Sequence, residues 1–468
     1  MSDPLLPRLA EIVGDKNILT EAGAAESYLT EERGLYRGKA VAVVRPASVE
    51  EVASVVALCA EAKVPVVPQG GNTGLVGGGV PDETGRAVVV SLNRMTSVRE
   101  VDIDTGTMTV DAGVTLQAAQ EKAAEHDRLF PLSLASEGSC TVGGNIATNA
   151  GGTAVVAYGN MRDLVLGLEV VLADGRIWNG LRKLKKDNTG YDMKQLFIGA
   201  EGTLGIITGA VLKLAPANRS VETAFIGLNS PEQALALFRR AQATAGSALI
   251  ACELMPRIGI DFVLAHGSGV RDPLSGSHAW YVLLELASPA EQSLRETMEA
   301  ILEGAIEAGD IEDAALSETL DQRAVFWKLR HLLSEVQKHE GGSIKHDVSV
   351  PIGQMPAFVG DATAAAEGVV PGCRPVPFGH MGDGNIHFNV SQPVGDDKQA
   401  YLARWGEMNE AVHAVVTRYS GSISAEHGIG RLKRGLLAEI KAPVELDMMR
   451  RVKSALDPNG VFNPGVVI

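Results

Sequence analysis

Apolar positions fall into short runs separated by polar and glycine-rich stretches, and the runs set out the elements. Residues 1–38 read as helical and charged. Ala40–Val44 is an unbroken apolar run and predicts a strand. Ser48 and Glu51 then form a capping-box signature, and Val52, Val55, Val56 and Leu58 follow at helical spacing to about Glu61. Val64–Val67 predicts a second short strand, and a glycine loop starts directly after it. Further strands are predicted at Ala87–Ser91, Thr107–Asp111 and Leu168–Leu172, the last running into the hairpin signal Asp174-Gly175. Leu204–Leu214 closes this half, and a boundary falls near Pro216.

The second half alternates differently. Strands are predicted at Glu222–Leu228, Ala248–Leu254 and Ala279–Leu286; Ser230 caps a helix after the first, and a long helix spans about Pro289 to Ala308. Strands interleaved with long helices predict an antiparallel sheet layered with helices. Residues 405–468 read as mostly helical and end in the turn cluster Asp457-Pro458-Asn459-Gly460. The expected organisation is therefore α+β, with domains at 1–216 and 217–404 and a C-terminal helical segment at 405–468 that returns to the first domain.

Composition narrows the function. A chain of 468 residues is too long for one compact core. A net charge of −15 argues against sequence-independent nucleic-acid binding, which needs a basic face. Cys59, Cys140, Cys252 and Cys373 lie far apart and form no CxxC pair, so neither a disulfide framework nor a thiolate zinc site is expected, and a reducing compartment follows. The N-terminus carries no signal-peptide pattern and no run of about 18 apolar residues occurs, so a cytoplasmic protein without a membrane span is expected.

The 52 glycines are clustered. In the loop Pro68–Gly79, six of the ten residues from 70 to 79 are glycine, and successive N–H groups free of side chains make a concave nest suited to a pyrophosphate. The plain alternative is a flexible surface loop, but glycine-rich linkers rarely follow a buried strand so directly. No Gly-Lys-Ser/Thr follows, so this is not a Walker loop, and no long helix opens after it, so it is not the dinucleotide GxGxxG either. A second cluster runs from Ser136 to Gly152 and a third from Gly199 to Ile207. One large extended ligand explains all three.

PQGGNTGLVGGG, GGNIATNAGG and GAEGTLGIIT resemble the FAD-binding domain of the vanillyl-alcohol oxidase flavoprotein family. The resemblance implies a two-subdomain FAD-binding domain of that type. It implies that Gln69, Gly70, Gly71, Asn72, Thr73 and Gly74 wrap the FAD pyrophosphate. It also implies that Ser136, Gly138, Thr141, Gly143, Gly144, Asn145, Asn149 and Gly152 line the isoalloxazine, ribityl and diphosphate, with Glu201, Gly202 and Ile206 near the adenine side or the back of the cofactor. Several members of the family tether the flavin through a histidine near the first glycine loop. Residues 40–125 contain none, so non-covalent FAD is expected.

In the C-terminal half, His380 and His387 flank a tight Gly-Asp-Gly turn that can fold the chain back and bring both imidazoles to one point. About forty residues on, Glu426 and His427 are adjacent and must point in different directions. Two histidines and a carboxylate make a three-ligand site with an open position, which suits Zn²⁺ as a Lewis acid, or Fe²⁺ or Mn²⁺. His427 is then free to act as a base. Capping or core histidines are the alternative, less economical for three histidines in two glycine-flanked loops. HMGDGNIHFNV and SAEHGIG resemble the motifs of the D-lactate, glycolate and D-2-hydroxyglutarate dehydrogenase branch of the same family. The resemblance implies His380, His387 and Glu426 as metal ligands, His427 as general base, and Asn389 at the substrate carboxylate or 2-hydroxyl. The implied chemistry is oxidation of a D-2-hydroxy acid by hydride transfer to the flavin N5.

Arg330 and Ser334 lie four apart on a predicted helix, and Lys345 opens a strand that ends at Pro351. A guanidinium, a hydroxyl and an ammonium can together receive a carboxylate, although composition alone favours a solvated basic patch. The D-2-hydroxyglutarate dehydrogenases carry this trio and the D-lactate enzymes generally lack the lysine. Lys345 therefore points to a second substrate carboxylate, in D-2-hydroxyglutarate or D-malate. Ser334 stands where family members often have threonine, which keeps the hydrogen bond and loses a methyl contact. By analogy with the family, reoxidation uses an electron-transfer flavoprotein or quinone, since no NAD fingerprint is visible. A homodimer is expected. The rival readings are a D-lactate, D-malate or glycolate dehydrogenase, an FAD-dependent transferase resembling the alkylglycerone-phosphate synthases, and a non-catalytic FAD-binding sensor, for which a Lewis acid beside a base has no use.

Overall fold

The computed structural model describes residues 5–468. The chain forms two compact units. The first combines the described residues up to Ala150 with Asn160–Ala217 and His427–Ile468; the second combines Gly151–Gly159 with Asn218–Glu426.

The first unit holds strands β1 (Ile18–Leu19), β2 (Ala40–Val44), β3 (Val66–Gln69), β4 (Ala87–Ser91), β5 (Val98–Asp102), β6 (Thr107–Asp111), β7 (Arg128–Leu129), β8 (Val165–Val171), β9 (Ile177–Gly180), β10 (Ile206–Lys213) and β11 (Ala215–Pro216). One sheet has the order β1-β2-β4-β3, with β2 and β3 both parallel to β4. All five residues of β4 are buried, as a strand covered on both faces requires. The helix Val49–Ala62 links β2 to β3, with Ser48 Oγ accepting from the Glu51 N–H at its start. Lys63 closes it in the left-handed conformation, and the Val64 N–H still donates to Cys59 O. This helix end takes up residues 63–65 and moves the strand two residues beyond the predicted Val64. A second sheet, β5-β6-β10-β8-β9, is antiparallel throughout.

The C-terminal segment completes this unit by extending its first sheet. Val66 N–H donates to Val461 O and Asn463 N–H to Val66 O, so residues 461–463 continue the edge at β3. Asp457 holds the returning chain: its carboxylate accepts from the N–H groups of Val461 and Phe462 at 2.8 Å each and pairs with Lys453 Nζ at 2.5 Å.

The second unit is built on one antiparallel seven-stranded sheet. Its strands are β12 (Ser220–Leu228), β13 (Leu249–Pro256), β14 (Trp280–Ser288), β15 (Asp313–Leu316), β16 (Ser343–Ser349), β17 (Arg374–His380) and β18 (Asn385–Ser391), in the order β15-β12-β14-β13-β17-β18-β16. Helices Pro231–Ala245, Arg295–Glu307, Met355–Val369 and Trp405–Arg418 pack together on one side. The predicted helix from Pro289 starts only at Arg295, because the hydroxyls of Ser288 and Ser293 accept from the N–H groups of Ala290 and Arg295 and hold the intervening residues in turns.

Helices Arg257–His266 and Leu320–Val336 pack on the opposite face, where Phe225, Leu283, Val376 and Phe378 meet Leu329 and Leu333 in one apolar cluster. Strand register decides what else that face carries. Paired residues of antiparallel neighbours share a face, and the pairs Glu253↔His380, Phe378↔His387, Val376↔Asn389, Lys345↔Asn389, Asp347↔His387 and His380↔Asn385 put six polar side chains and Lys345 beside the apolar cluster. Under the two helices the face is apolar except for the buried Glu285 and Glu253, which accept from Arg323 and Arg330 of the second helix; beyond them it is polar.

Candidate functional site

Three glycine-rich segments stand in the first unit, the second of them as far as Ala150; the first follows β3 and the third leads into β10. Gly70 and Gly71 follow β3 directly, and both lie against the second segment. A Cβ at Gly70 would meet Thr141 Oγ1 at 2.3 Å, and one at Gly71 would meet Ser139 O at 1.9 Å. Gly74 has nothing within 4 Å of the place a Cβ would occupy. Among the described residues, the N–H groups of Gly71, Asn72, Thr73 and Gly74 have no protein acceptor. Asn72 is left-handed, with φ of 55°, and such an alternation of backbone hand makes an anion nest. The loop thus fits the diphosphate of FAD through its backbone.

Its side chains do another job. Gln69 Nε2 donates to the carbonyls of Tyr28 and Gly79, at 2.8 and 2.7 Å, and Asn72 Nδ2 to those of Ser27 and Thr30, at 2.9 and 2.8 Å. They tie the loop down.

The second segment holds a short helix, Val142–Ala147. Thr141 caps it by accepting from the Gly144 N–H, and Gly143 must be glycine because a Cβ would sit 2.6 Å from that of Ala112. Ser136 O accepts from the N–H groups of Ser139 and Cys140, turning the chain at Gly138. Asn145 is buried against Cys140, and Asn149 Oδ1 accepts from the Arg162 N–H at 2.9 Å.

In the third segment the Glu201 carboxylate accepts from the N–H groups of Ile429 and Gly430, at 2.7 and 2.8 Å. Burial raises its pKa, and these two hydrogen bonds oppose the rise. Glu201 therefore anchors the segment that begins at His427. Gly202 packs on Pro68, and Ile206 is fully buried at the start of β10, so it offers only backbone. Gly152 lies in the second unit, where its backbone stands near the Glu426 carboxylate and lowers its pKa.

The second unit's site lies on the polar half of its sheet. His380 ends β17, His387 stands on β18, and residues 381–384 make the turn between them. The two rings lie 5.5 Å apart, nearly perpendicular. Glu426 closes the cluster: one potential ligand atom each from His380, His387 and Glu426 lie within 4.8 Å of one another. His380 Nε2 is 3.7 Å from Glu426 Oε1. That Oε1 is buried and has no hydrogen-bond partner among the described residues.

Burial raises the Glu426 pKa most; His380 opposes this, and Asp347 and Asp383 add to it. Burial alone would lower the His380 pKa, but the charge and hydrogen bond of Glu253 outweigh it and hold the pKa at about 9. A buried, unpartnered carboxylate oxygen among further acids and two imidazoles fits a divalent cation.

Three residues here are missing from the sequence reading. Glu253, fully buried on β13, accepts from His380 Nδ1 at 2.8 Å and from Arg330 Nε at 2.7 Å. Asp347 accepts from the Glu426 N–H at 2.9 Å and from Asn385 Nδ2 at 3.0 Å, and lies 3.8 Å from His387 Nδ1. Asn385 also donates to Val348 O at 2.9 Å. The available signal was a lone acid inside the apolar run of β13, since an isolated buried acid needs partners.

The expected carboxylate-binding trio is only partly assembled. Arg330 is 6% exposed, with its Nε committed to Glu253 and its guanidinium 4.8 Å over the Phe378 ring. Ser334, one turn on, is exposed, and Lys345 Nζ donates to its carbonyl at 3.0 Å. Asn389 is buried on β18, paired with Lys345 and Val376. His427 is half-buried and follows Glu426 directly, opening the last segment of the first unit.

A unit with an anion nest built from glycine loops, and a sheet unit bearing a His-His-Glu cluster, define a two-part flavoprotein oxidoreductase. Residues 40–180 match the FAD binding domain family, and residues 217–467 match the C-terminal domain of the FAD linked oxidases. The mitochondrial D-2-hydroxyglutarate dehydrogenase of Arabidopsis thaliana is 35% identical over 460 residues, 98% of this chain and 80% of that protein. A D-2-hydroxyglutarate dehydrogenase of Xanthomonas citri pv. viticola is 36% identical over 468 residues, 99% of this chain and 97% of that protein. The fold is that of the vanillyl-alcohol oxidase type: p-cresol methylhydroxylase superposes with a TM-score of 0.75 over 98% of this chain and 95% of its own, at 16% identity. The chain belongs to the FAD-linked oxidase family, in its D-2-hydroxyglutarate and D-lactate dehydrogenase branch. No helix among the described residues is long and apolar enough to cross a membrane.

Proposed function

We propose that the protein oxidises a D-2-hydroxy acid, D-2-hydroxyglutarate foremost, to the 2-oxo acid, using non-covalent FAD and a divalent metal ion, Zn²⁺ first among candidates. The observation that carries this is the convergence of His380, His387 and Glu426 around an unpartnered buried carboxylate oxygen. The printed names of the Arabidopsis and Xanthomonas relatives supply the substrate.

FAD, when bound, supplies the hydride acceptor, and the metal, when bound, supplies a Lewis acid for the substrate's 1-carboxylate and 2-hydroxyl. Of the protein's own groups, the backbone of Gly70–Gly74 binds the diphosphate, and the Ser136–Asn149 and Glu201–Ile206 segments shape the rest of the cofactor site. His427 takes the 2-hydroxyl proton as general base. Asn389 orients the substrate's first carboxylate, and Lys345 with Ser334 and Arg330 receives the second. An electron-transfer flavoprotein or quinone is the proposed final acceptor, a homodimer the proposed assembly. The cytoplasm is the proposed location, supported by four buried free cysteines.

His427→Ala tests the base. The variant retains FAD but loses at least about 100-fold in the rate of flavin reduction by D-2-hydroxyglutarate, the usual scale for a removed general base. Near-normal stopped-flow reduction would withdraw His427 from that role.

A further inference from the structure

We propose that Glu253 is a positioning residue that braces the metal cluster: it fixes which nitrogen His380 presents and, through Arg330, supports His387. The proposal rests on the metal-binding reading given above.

The geometry starts from register. Glu253 pairs with His380 across β13 and β17, so both side chains stand on the polar face of the sheet. Glu253 Oε1 lies 2.8 Å from His380 Nδ1, and a carboxylate there can only accept, so Nδ1 carries the proton. Nε2 is then the nitrogen that a cation would take, in place of any proton there, and it is the atom facing Glu426, at 3.7 Å.

The other carboxylate oxygen accepts from Arg330 Nε at 2.7 Å. That bond sets the guanidinium over Phe378, 4.8 Å from its centroid, and the Phe378 ring packs 5.1 Å from the ring of His387. One carboxylate thus holds one histidine directly and backs the other through a cation–π contact and a ring contact. Glu253 is fully buried, and Leu283, its partner on β14, is apolar, so the His380–Glu253–Arg330 chain has no solvent to relax into. Carboxylate–histidine–metal arrangements tune affinity in this way, and losing such a partner costs about 10- to 100-fold in metal affinity.

The test compares the metal-stripped full-length wild type with Glu253→Gln, both retaining FAD, in zinc titrations against a competing chelator. The amide keeps the size and a hydrogen-bond acceptor while removing the charge. A 10- to 100-fold weaker zinc affinity, with circular dichroism and flavin absorbance unchanged, supports the proposal. Unchanged zinc affinity, even with a lower melting temperature, overturns it, because Glu253 would then only tie a helix to the sheet. If the wild type binds no zinc while its nickel, manganese and iron affinities are also nil, the metal reading fails and takes this proposal with it. Should the variant fail to fold, nitrogen-15 histidine NMR on the zinc-loaded wild type decides. A protonated Nδ1 and a metal-bound Nε2 at His380 support the proposal; the opposite tautomer overturns it.

Discussion

Lys345 stands exposed on β16, an edge strand of the seven-stranded sheet, its ammonium on the Ser334 carbonyl. An ammonium carries three donors, and beyond the Ser334 carbonyl it can be turned toward a substrate carboxylate. Lys345→Ala should therefore raise KM for D-2-hydroxyglutarate by about tenfold or more, on the scale of a lost charge-assisted hydrogen bond, and barely alter KM for D-lactate. Equal losses on both substrates would remove the distal-carboxylate role.

His380 gives a second prediction at this scale. Its folded pKa of about 9 means that it carries a proton at neutral pH before a metal binds. A metal ligand must be neutral, so uptake displaces that proton, and affinity falls as pH falls below about 9. Zinc affinity should drop by up to about tenfold per pH unit between roughly 8.5 and 7, with proton release seen in calorimetry in buffers of different ionisation enthalpy. A flat profile would show that His380 is neutral in the metal-free protein. The convergence of His380, His387 and Glu426 was legible in the sequence because the glycine-flanked motifs are dense in one chemistry. Glu253 and its partnership with Arg330 were not, because that pairing depends on a register and a helix packing that join positions 77 residues apart.

At the level of elements, the long apolar runs were the easiest to read: Ala87–Ser91 and Thr107–Asp111 are strands with the predicted ends. Mixed signals were harder. Val142–Ala147 is helical although glycines fill it, because the Thr141 cap and the close approach to Ala112 favour that turn over its low propensity. The short strand Asp313–Leu316 carries no pattern of its own and exists by pairing with β12. The return of the C-terminal segment rests on Asp457, whose side chain is fully buried between two backbone N–H groups and Lys453. Asp457→Ala leaves Lys453 half-hidden without its acid and should cost about 3 kcal/mol. The check is a lower thermal midpoint, together with hydrogen exchange that speeds first at residues 461–463. Exchange unchanged there would show that Asp457 does not hold the edge strand.

For the whole molecule, two units divide the work. The first supplies a backbone nest for a diphosphate and a chain of side-chain ties that keep it in shape; the second supplies a sheet face that changes from apolar to polar where β17 meets β18. The most direct measurement is anaerobic absorbance of the purified, metal-replete protein at the flavin band, before and after D-2-hydroxyglutarate, with the L-isomer, D-lactate and D-malate alongside and a chelated sample as control. Rapid bleaching by D-2-hydroxyglutarate, slower with D-lactate, none with the L-isomer and loss of the effect on chelation are the predicted results. A flavin that stays oxidised with every 2-hydroxy acid, or that bleaches equally well after the metal is removed, would contradict the account.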